Sequence, residues 1–170
     1  KNGTGKSMLI NYLTGFSEVE KFTGEISLDK ALSDVPYQTS PILLVNGTLD
    51  ENMFGEEIDP EVLDLLNIKF ENKIIDENSV NLSFGEQQKL NLLRALSADS
   101  NLYIFDEPFA NLDTETINNL AEYLAELSRQ KSIIAIVHSD DLDEYADAVI
   151  EIKDGKALLN ECNQSHIPVS

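Results

Sequence analysis

Apolar positions in this 170-residue chain recur with two different periods, and the elements they predict alternate along the sequence. After a glycine-punctuated stretch at residues 1–6, residues 7–14 read as a helix closed near Gly15. Residues 24–28 alternate like a short strand, and residues 40–52 form a loop around a buried apolar run at 42–45. Asp59 fits an N-cap, Pro60 a first helical turn, and residues 61–67 continue a helical pattern. A stronger helix is predicted from about Ser83 to Leu96, then an apolar strand over 102–105 that ends in Asp106. Asp113 caps a further helix in which Ile117, Leu120, Leu124 and Leu127 share one face. Residues 132–137 are apolar without alternation, as in a parallel strand covered on both faces. Residues 148–152, the Asp154-Gly155 turn and residues 156–159 predict a hairpin. Strands alternating with helices imply an α/β domain with a mainly parallel sheet.

Composition narrows the class. With 42% hydrophobic and 25% charged residues the chain is globular and long enough for one sizeable core. Its longest apolar runs are far too short to cross a bilayer, and no basic start followed by an apolar core marks a signal peptide. The single cysteine, Cys162, leaves no internal disulfide and fits a reducing cytosol. Twelve basic against 31 acidic residues give a net charge of −19, which argues against a nucleic acid partner. The same field would repel a nucleotide. Any nucleotide site here must therefore act locally, through backbone N–H groups, a helix N-terminus, a lysine and a metal ion.

The opening K-N-G-T-G-K-S has that chemistry, matching G-x-x-x-x-G-K-[ST] without its first glycine. Gly3 and Gly5 allow the backbone close to phosphates, Lys6 places an ammonium between the β- and γ-phosphates, and the Ser7 hydroxyl suits Mg²⁺. The helix opening at Ser7 aims its positive end at the same place. Downstream, an apolar strand delivers Asp106 and Glu107 at its C-terminal end, where open parallel sheets bind ligands. Asp106 can hold Mg²⁺ through water, and Glu107 is placed to polarise an attacking water as a general base. An ordinary acidic pair capping a helix is the plainer reading, but Pro108 follows directly and leaves no helix there to cap.

N-L-S-F-G-E-Q-Q-K-L, residues 81–90, resembles the signature of ABC ATPases, most often L-S-G-G-Q. In the family's order follow the Asp106-Glu107 strand, A-N-L-D at 110–113 resembling the D-loop, and His138 resembling the switch histidine. Gln38, in V-P-Y-Q, resembles the Q-loop glutamine, with Tyr37 inserted into the usual Val-Pro-Gln. The resemblance implies a P-loop NTPase fold, with a small helical subdomain carrying the signature. It also implies ATP and Mg²⁺ as ligands. Asn2, Gly3, Thr4, Gly5, Lys6, Ser7 and Gln38 would bind ATP, and Ser7, Gln38 and Asp106 would hold the metal. Glu107 and His138 would serve hydrolysis. Two such domains pair head to tail in this family, as a homo- or heterodimer. Ser83, Phe84, Gly85 and Glu86 would then close on the γ-phosphate of the other domain, with Asp113 at the seam. Ser83 with Glu86 is equally a plain capping box, and the two roles are compatible.

The stretch 40–55 is similar to the region after the Q-loop of ABC exporters, which meets the membrane domain's coupling helices. The resemblance therefore implies an exporter's ATPase domain at the cytoplasmic face of the cell membrane. A translation-associated or DNA-maintenance ABC ATPase, or a catalytically weak regulatory domain, is the alternative. No heptad run separates Ser7 from Ser83 as a DNA-maintenance ATPase requires. Residues 1–170 are expected to form one ABC-type domain lacking its N-terminal strands and beginning part-way through the phosphate loop. Phe84 and Glu86 depart from the usual glycine and glutamine, which restricts the backbone and adds a negative charge beside the phosphate position. Restoring them, as Phe84→Gly/Glu86→Gln, is predicted to raise the ATPase rate; an unchanged rate contradicts this.

Overall fold

The computed structural model describes residues 6–14, 35–38, 42–78, 81–137, 145–153 and 156–161. Two compact units contain them, Lys1–Asp34 with His138–Ser170, and Val35–Val137. The expected strand at 24–28 and the turn at Asp154-Gly155 lie outside the described residues.

In the first unit, helix α1 runs Lys6–Leu13 and ends at Thr14, whose N–H and hydroxyl both donate to the Ile10 carbonyl at 2.9 Å. The predicted hairpin forms as antiparallel strands, labelled β4 (Ala148–Lys153) and β5 (Lys156–Glu161), with Ala148 opposite Glu161 and Lys153 opposite Lys156.

The second unit holds a parallel three-stranded sheet in the order β1 (Tyr37–Gln38), β2 (Leu102–Asp106), β3 (Ser132–Ile136). Gln38 pairs with Phe105, and Asp106 pairs with Ile136. Helices α2 (Pro60–Leu65), α3 (Phe84–Ser97) and α4 (Thr114–Leu127) complete it. Each starts where the sequence puts a cap. Asp59 accepts from the Glu61 N–H at 2.8 Å, Ser83 from Glu86, and Asp113 from Thr116. The core joins Val62 and Leu66, Leu90, Leu92 and Leu93 of α3, Leu120 of α4, and Phe105 of β2. This is the expected α/β class, with a helical part carrying residues 83–86.

Two expectations change. β2 is the strand enclosed on both faces, with Ile104 and Phe105 fully buried. β3 is an edge of the described sheet, and its Ser132, Ile134 and Ala135 are exposed rather than covered. The run at 42–45 is also not uniformly buried, because Leu44 packs in the core while Leu43 is 68% exposed.

Polar anchoring explains that split. The wholly buried Asn52 accepts from the Val45 N–H and donates to the Val45 and Thr48 carbonyls, each at 3.0 Å. Arg94, near the end of α3, donates to the Asn52 carbonyl and, at 2.7 Å, to that of Leu43. Its guanidinium lies 4.4 Å from the centre of the Phe54 ring. Burial lowers the Arg94 pKa to about 10, so it stays charged at neutral pH. These bonds fix the backbone of residues 43 and 45 on either side of the buried Leu44. Asn52→Ala leaves the Val45 N–H and carbonyl without their side-chain partner, while the Thr48 carbonyl keeps the residue 52 N–H, and is expected to cost about 2 kcal/mol in urea unfolding; a loss under about 0.5 kcal/mol contradicts this account.

Candidate functional site

Of the residues expected at the phosphate loop, Lys6 and Ser7 form the start of α1. Their backbone N–H groups therefore belong to the first turn, which has no carbonyl partners within its helix. Asn2, Gly3, Thr4, Gly5 and His138 lie outside the described residues. Lys6 and Ser7 sit in the first unit; Gln38, Asp106, Glu107, Asp113 and residues 83–86 all sit in the second.

Within the second unit, β1 and β2 end side by side, which brings Gln38 and Asp106 to the same edge of the sheet. Gln38 is 3% exposed. Its Oε1 and the Asp106 Oδ1 are buried without any hydrogen-bond partner among the described residues. A buried oxygen left unpaired costs about 1–3 kcal/mol, and the chemistry of both atoms suits a hydrogen-bond donor or a cation. Hard oxygen donors of this kind suit Mg²⁺, which takes one or two protein ligands and completes its shell with water and phosphate. No group of three or more His, Cys, Asp and Glu side chains forms a metal cluster among the described residues. The residues present thus fit the magnesium implied by the sequence.

Directly after Asp106 the chain leaves the sheet. Glu107 has φ 54°, a left-handed conformation that costs an ordinary side chain about 1–3 kcal/mol. Its N–H still donates to the Ile136 carbonyl of β3 at 2.9 Å, and its own carbonyl accepts from Ala110 N–H at 3.1 Å. Gln88 of α3 reaches over and donates to the carbonyls of Glu107 and Pro108 at 3.0 and 2.9 Å. These contacts over-determine the strained turn and leave the Glu107 residue exposed at the strand end.

The same helix face meets the D-loop segment. A Cβ at Gly85 would stand 2.7 Å from the Asn111 carbonyl oxygen, so this glycine is required by backbone packing, whatever it does for a phosphate. Lys89 pairs with Asp113 at 3.5 Å. A cavity of about 420 Å³ opens beside them, lined among others by Lys69, Ser83, Gly85, Lys89 and Asp113.

Ser83 and Glu86 form the full capping box. The Glu86 carboxylate also pairs with Lys73 at 3.1 Å. Burial opposes its charge, but hydrogen bonds from the Ser83 N–H, Lys73 and the Ser83 hydroxyl prevail and hold its pKa below the usual value. The charge expected to disturb this turn is therefore already paired. Phe84 is 76% exposed. Lys73, Gln88 and Asn111 carry no signal in the sequence, since each acts across a tertiary contact.

The ABC transporter family model matches residues 1–110 of the chain. ABC transporter C family member 6 of Arabidopsis thaliana is 31% identical over 168 residues, 91% of this chain and 11% of that protein. ABC transporter C family member 13 of Oryza sativa subsp. indica is 30% identical over 167 residues, 90% of this chain and 11% of that protein. The chain thus spans about 11% of the length of these curated relatives. A chain from the crystal structure of the complex of archaeal ribosomal stalk protein aP1 and archaeal ribosome recycling factor aABCE1 matches with TM-score 0.71 and 25% identity. That match covers 91% of this chain and 31% of the other, and the shared fold is the α/β fold of P-loop NTPases.

Asp113 supplies a pH test of the α4 cap. Hydrogen bonds from the Thr116 N–H and hydroxyl, with Lys89 nearby, lower its pKa to about 2. A depressed carboxylate stabilises the fold above its unfolded pKa of about 4 and loses that contribution as pH falls through about 2. Asp113→Asn keeps a cap acceptor without the charge, so its acid unfolding curve should be flatter over this window. Parallel curves for the two proteins contradict the assignment.

Proposed function

The chain belongs to the ABC transporter family, and from that premise we propose that it binds and hydrolyses Mg-ATP as the ATPase domain of a membrane transporter. Residues 1–170 form one ABC-type ATP-binding domain in this reading. The observation that carries it is the pair of unpartnered buried oxygens on Gln38 and Asp106, followed at once by the strained, exposed Glu107.

Asn2, Gly3, Thr4, Gly5 and Lys6 cradle the phosphates in this proposal, with Lys6 between the β- and γ-phosphates. Ser7, Gln38 and Asp106 would hold Mg²⁺, which would supply charge stabilisation at the phosphate oxygens. Glu107 takes the proton of the attacking water, and His138 donates a hydrogen bond toward the γ-phosphate. The strained backbone supports this role, because strain held in place by surrounding hydrogen bonds gathers where a side chain must be aimed.

A second ABC ATPase domain, identical or related, completes the site by presenting Ser83, Phe84, Gly85 and Glu86. Asp113 lies at the seam. Leu43 and Phe54 support a membrane-domain partner, because both stay exposed (68% and 50%) on a segment otherwise anchored by Asn52 and Arg94. The relatives' C-family names support transport, and the stretch 40–55 supports export, at the cytoplasmic face of the cell membrane. No helix among the described residues is long and apolar enough to cross a membrane.

Glu107→Gln in the full-length protein is the test. Losing the general base is expected to slow ATP turnover at least about 100-fold while nucleotide binding persists. Turnover within about threefold of wild type removes Glu107 from the mechanism. Wild-type protein that binds ATP but shows no magnesium-dependent turnover would instead indicate a regulatory, silent domain.

A further inference from the structure

Every polar hydrogen of Ser83 is committed to one side chain. Glu86 Oε2 accepts from the Ser83 N–H at 2.8 Å and from the Ser83 hydroxyl at 2.9 Å. The serine oxygen in turn accepts from the Glu86 N–H at 3.2 Å. A hydroxyl has a single proton, so while this arrangement holds, Ser83 has no donor left for a phosphate oxygen. The usual glutamine at this position could make the same capping box, but its amide oxygen is neutral. A carboxylate binds the same donors roughly twice as strongly.

The carboxylate is also held from behind. Lys73 Nζ donates to Glu86 Oε1 at 3.1 Å and to the Asn81 carbonyl at 2.8 Å. Asn81 is itself fixed, donating to the Ile74 carbonyl and accepting from the Asp76 N–H at 3.1 Å. Ile75 pairs with Gly47 through two backbone bonds of 2.7 and 3.0 Å, so the lysine stands on an anchored segment. The Glu86 carboxyl, held below its ordinary pKa, remains an anion at neutral pH.

We propose that Glu86 is an internal competitor for the incoming γ-phosphate, occupying both donors of Ser83, and that Lys73 is the positioning residue that holds it there. The proposal rests on the reading that Ser83 serves a nucleotide bound to a second domain. Phosphate and carboxylate are both anionic acceptors, and the serine can satisfy only one at a time. Closure on ATP must first release the hydroxyl from Glu86. The signature of this chain is then restrained by its own helix cap, and its affinity for the partner's nucleotide is set by how firmly Lys73 holds that cap.

The experiment compares kcat/KM for ATP in full-length proteins, with thermal unfolding of each variant as a check on α3. Glu86→Gln keeps a capping acceptor and is expected to raise kcat/KM about fivefold, the factor that a difference between charged and neutral acceptors implies. The gain must vanish in a Ser83→Ala background, because it acts through that hydroxyl. Lys73→Met loosens the carboxylate and should raise kcat/KM about twofold, Lys73→Arg should restore the wild-type value, and Lys73→Met should add nothing to Glu86→Gln. If Ser83→Ala leaves kcat/KM unchanged, the reading of Ser83 as a nucleotide contact fails, and the proposal with it. If Ser83→Ala lowers it but Glu86→Gln gives no gain, the reading stands and the competition is overturned. A fall with Lys73→Met, in either background, overturns the positioning role.

Discussion

The first turn of α3 lies against the backbone of residues 107–111 so closely that only a glycine fits at position 85, facing the Asn111 carbonyl. Most of the larger unit's candidate chemistry follows from that approach. It brings Gln88 within reach of the Glu107 and Pro108 carbonyls and Lys89 within reach of Asp113. Glu107, Asp113 and Ser83 are thereby carried on one packed assembly. Behind it stand the fully buried Leu90, Leu92 and Leu93, which tie the helix to the core. A helix seated by apolar packing on one side and by backbone contact at its tip has little freedom to shift alone.

The chain's strongly acidic balance makes its few cations informative. Lys73, Lys89 and Arg94 each meet a defined partner, and the three partners differ in kind. Lys73 meets a helix-cap carboxylate, Lys89 the cap of the following helix, and Arg94 backbone carbonyls and an aromatic face. The two lysine pairs are worth little as isolated surface pairs. The effect of the three cations is geometric: they fix loops onto α3 at its beginning, its second turn and its end. The overall field opposes nucleotide approach, so affinity has to come from such local placement.

What was legible in the sequence is what local rules control. Asp59, Ser83 and Asp113 announce helix starts within a residue because caps act over two or three positions. The strand carrying Asp106 was legible from its apolar run and from the acids that end it. How the run at 42–45 divides between core and surface was not legible because four apolar residues have no period to read. Its split between buried Leu44 and exposed Leu43 is imposed by Arg94, 51 residues away. Lys73, Gln88 and Asn111 were missed for the same reason: the bonds of the first two span 8 to 20 residues, and the third matters only through its carbonyl. The phosphate loop and His138 were read from motif chemistry alone and stay on that footing.

The left-handed backbone at Glu107 has a consequence for engineering. Glycine would adopt that conformation without strain, and an asparagine would tolerate it better than a glutamate. A screen that ranked substitutions by folding stability alone would therefore favour erasing this carboxylate. In the proposed mechanism stability and chemistry pull apart at this position, and thermostable variants of this chain should be chosen with residue 107 held constant.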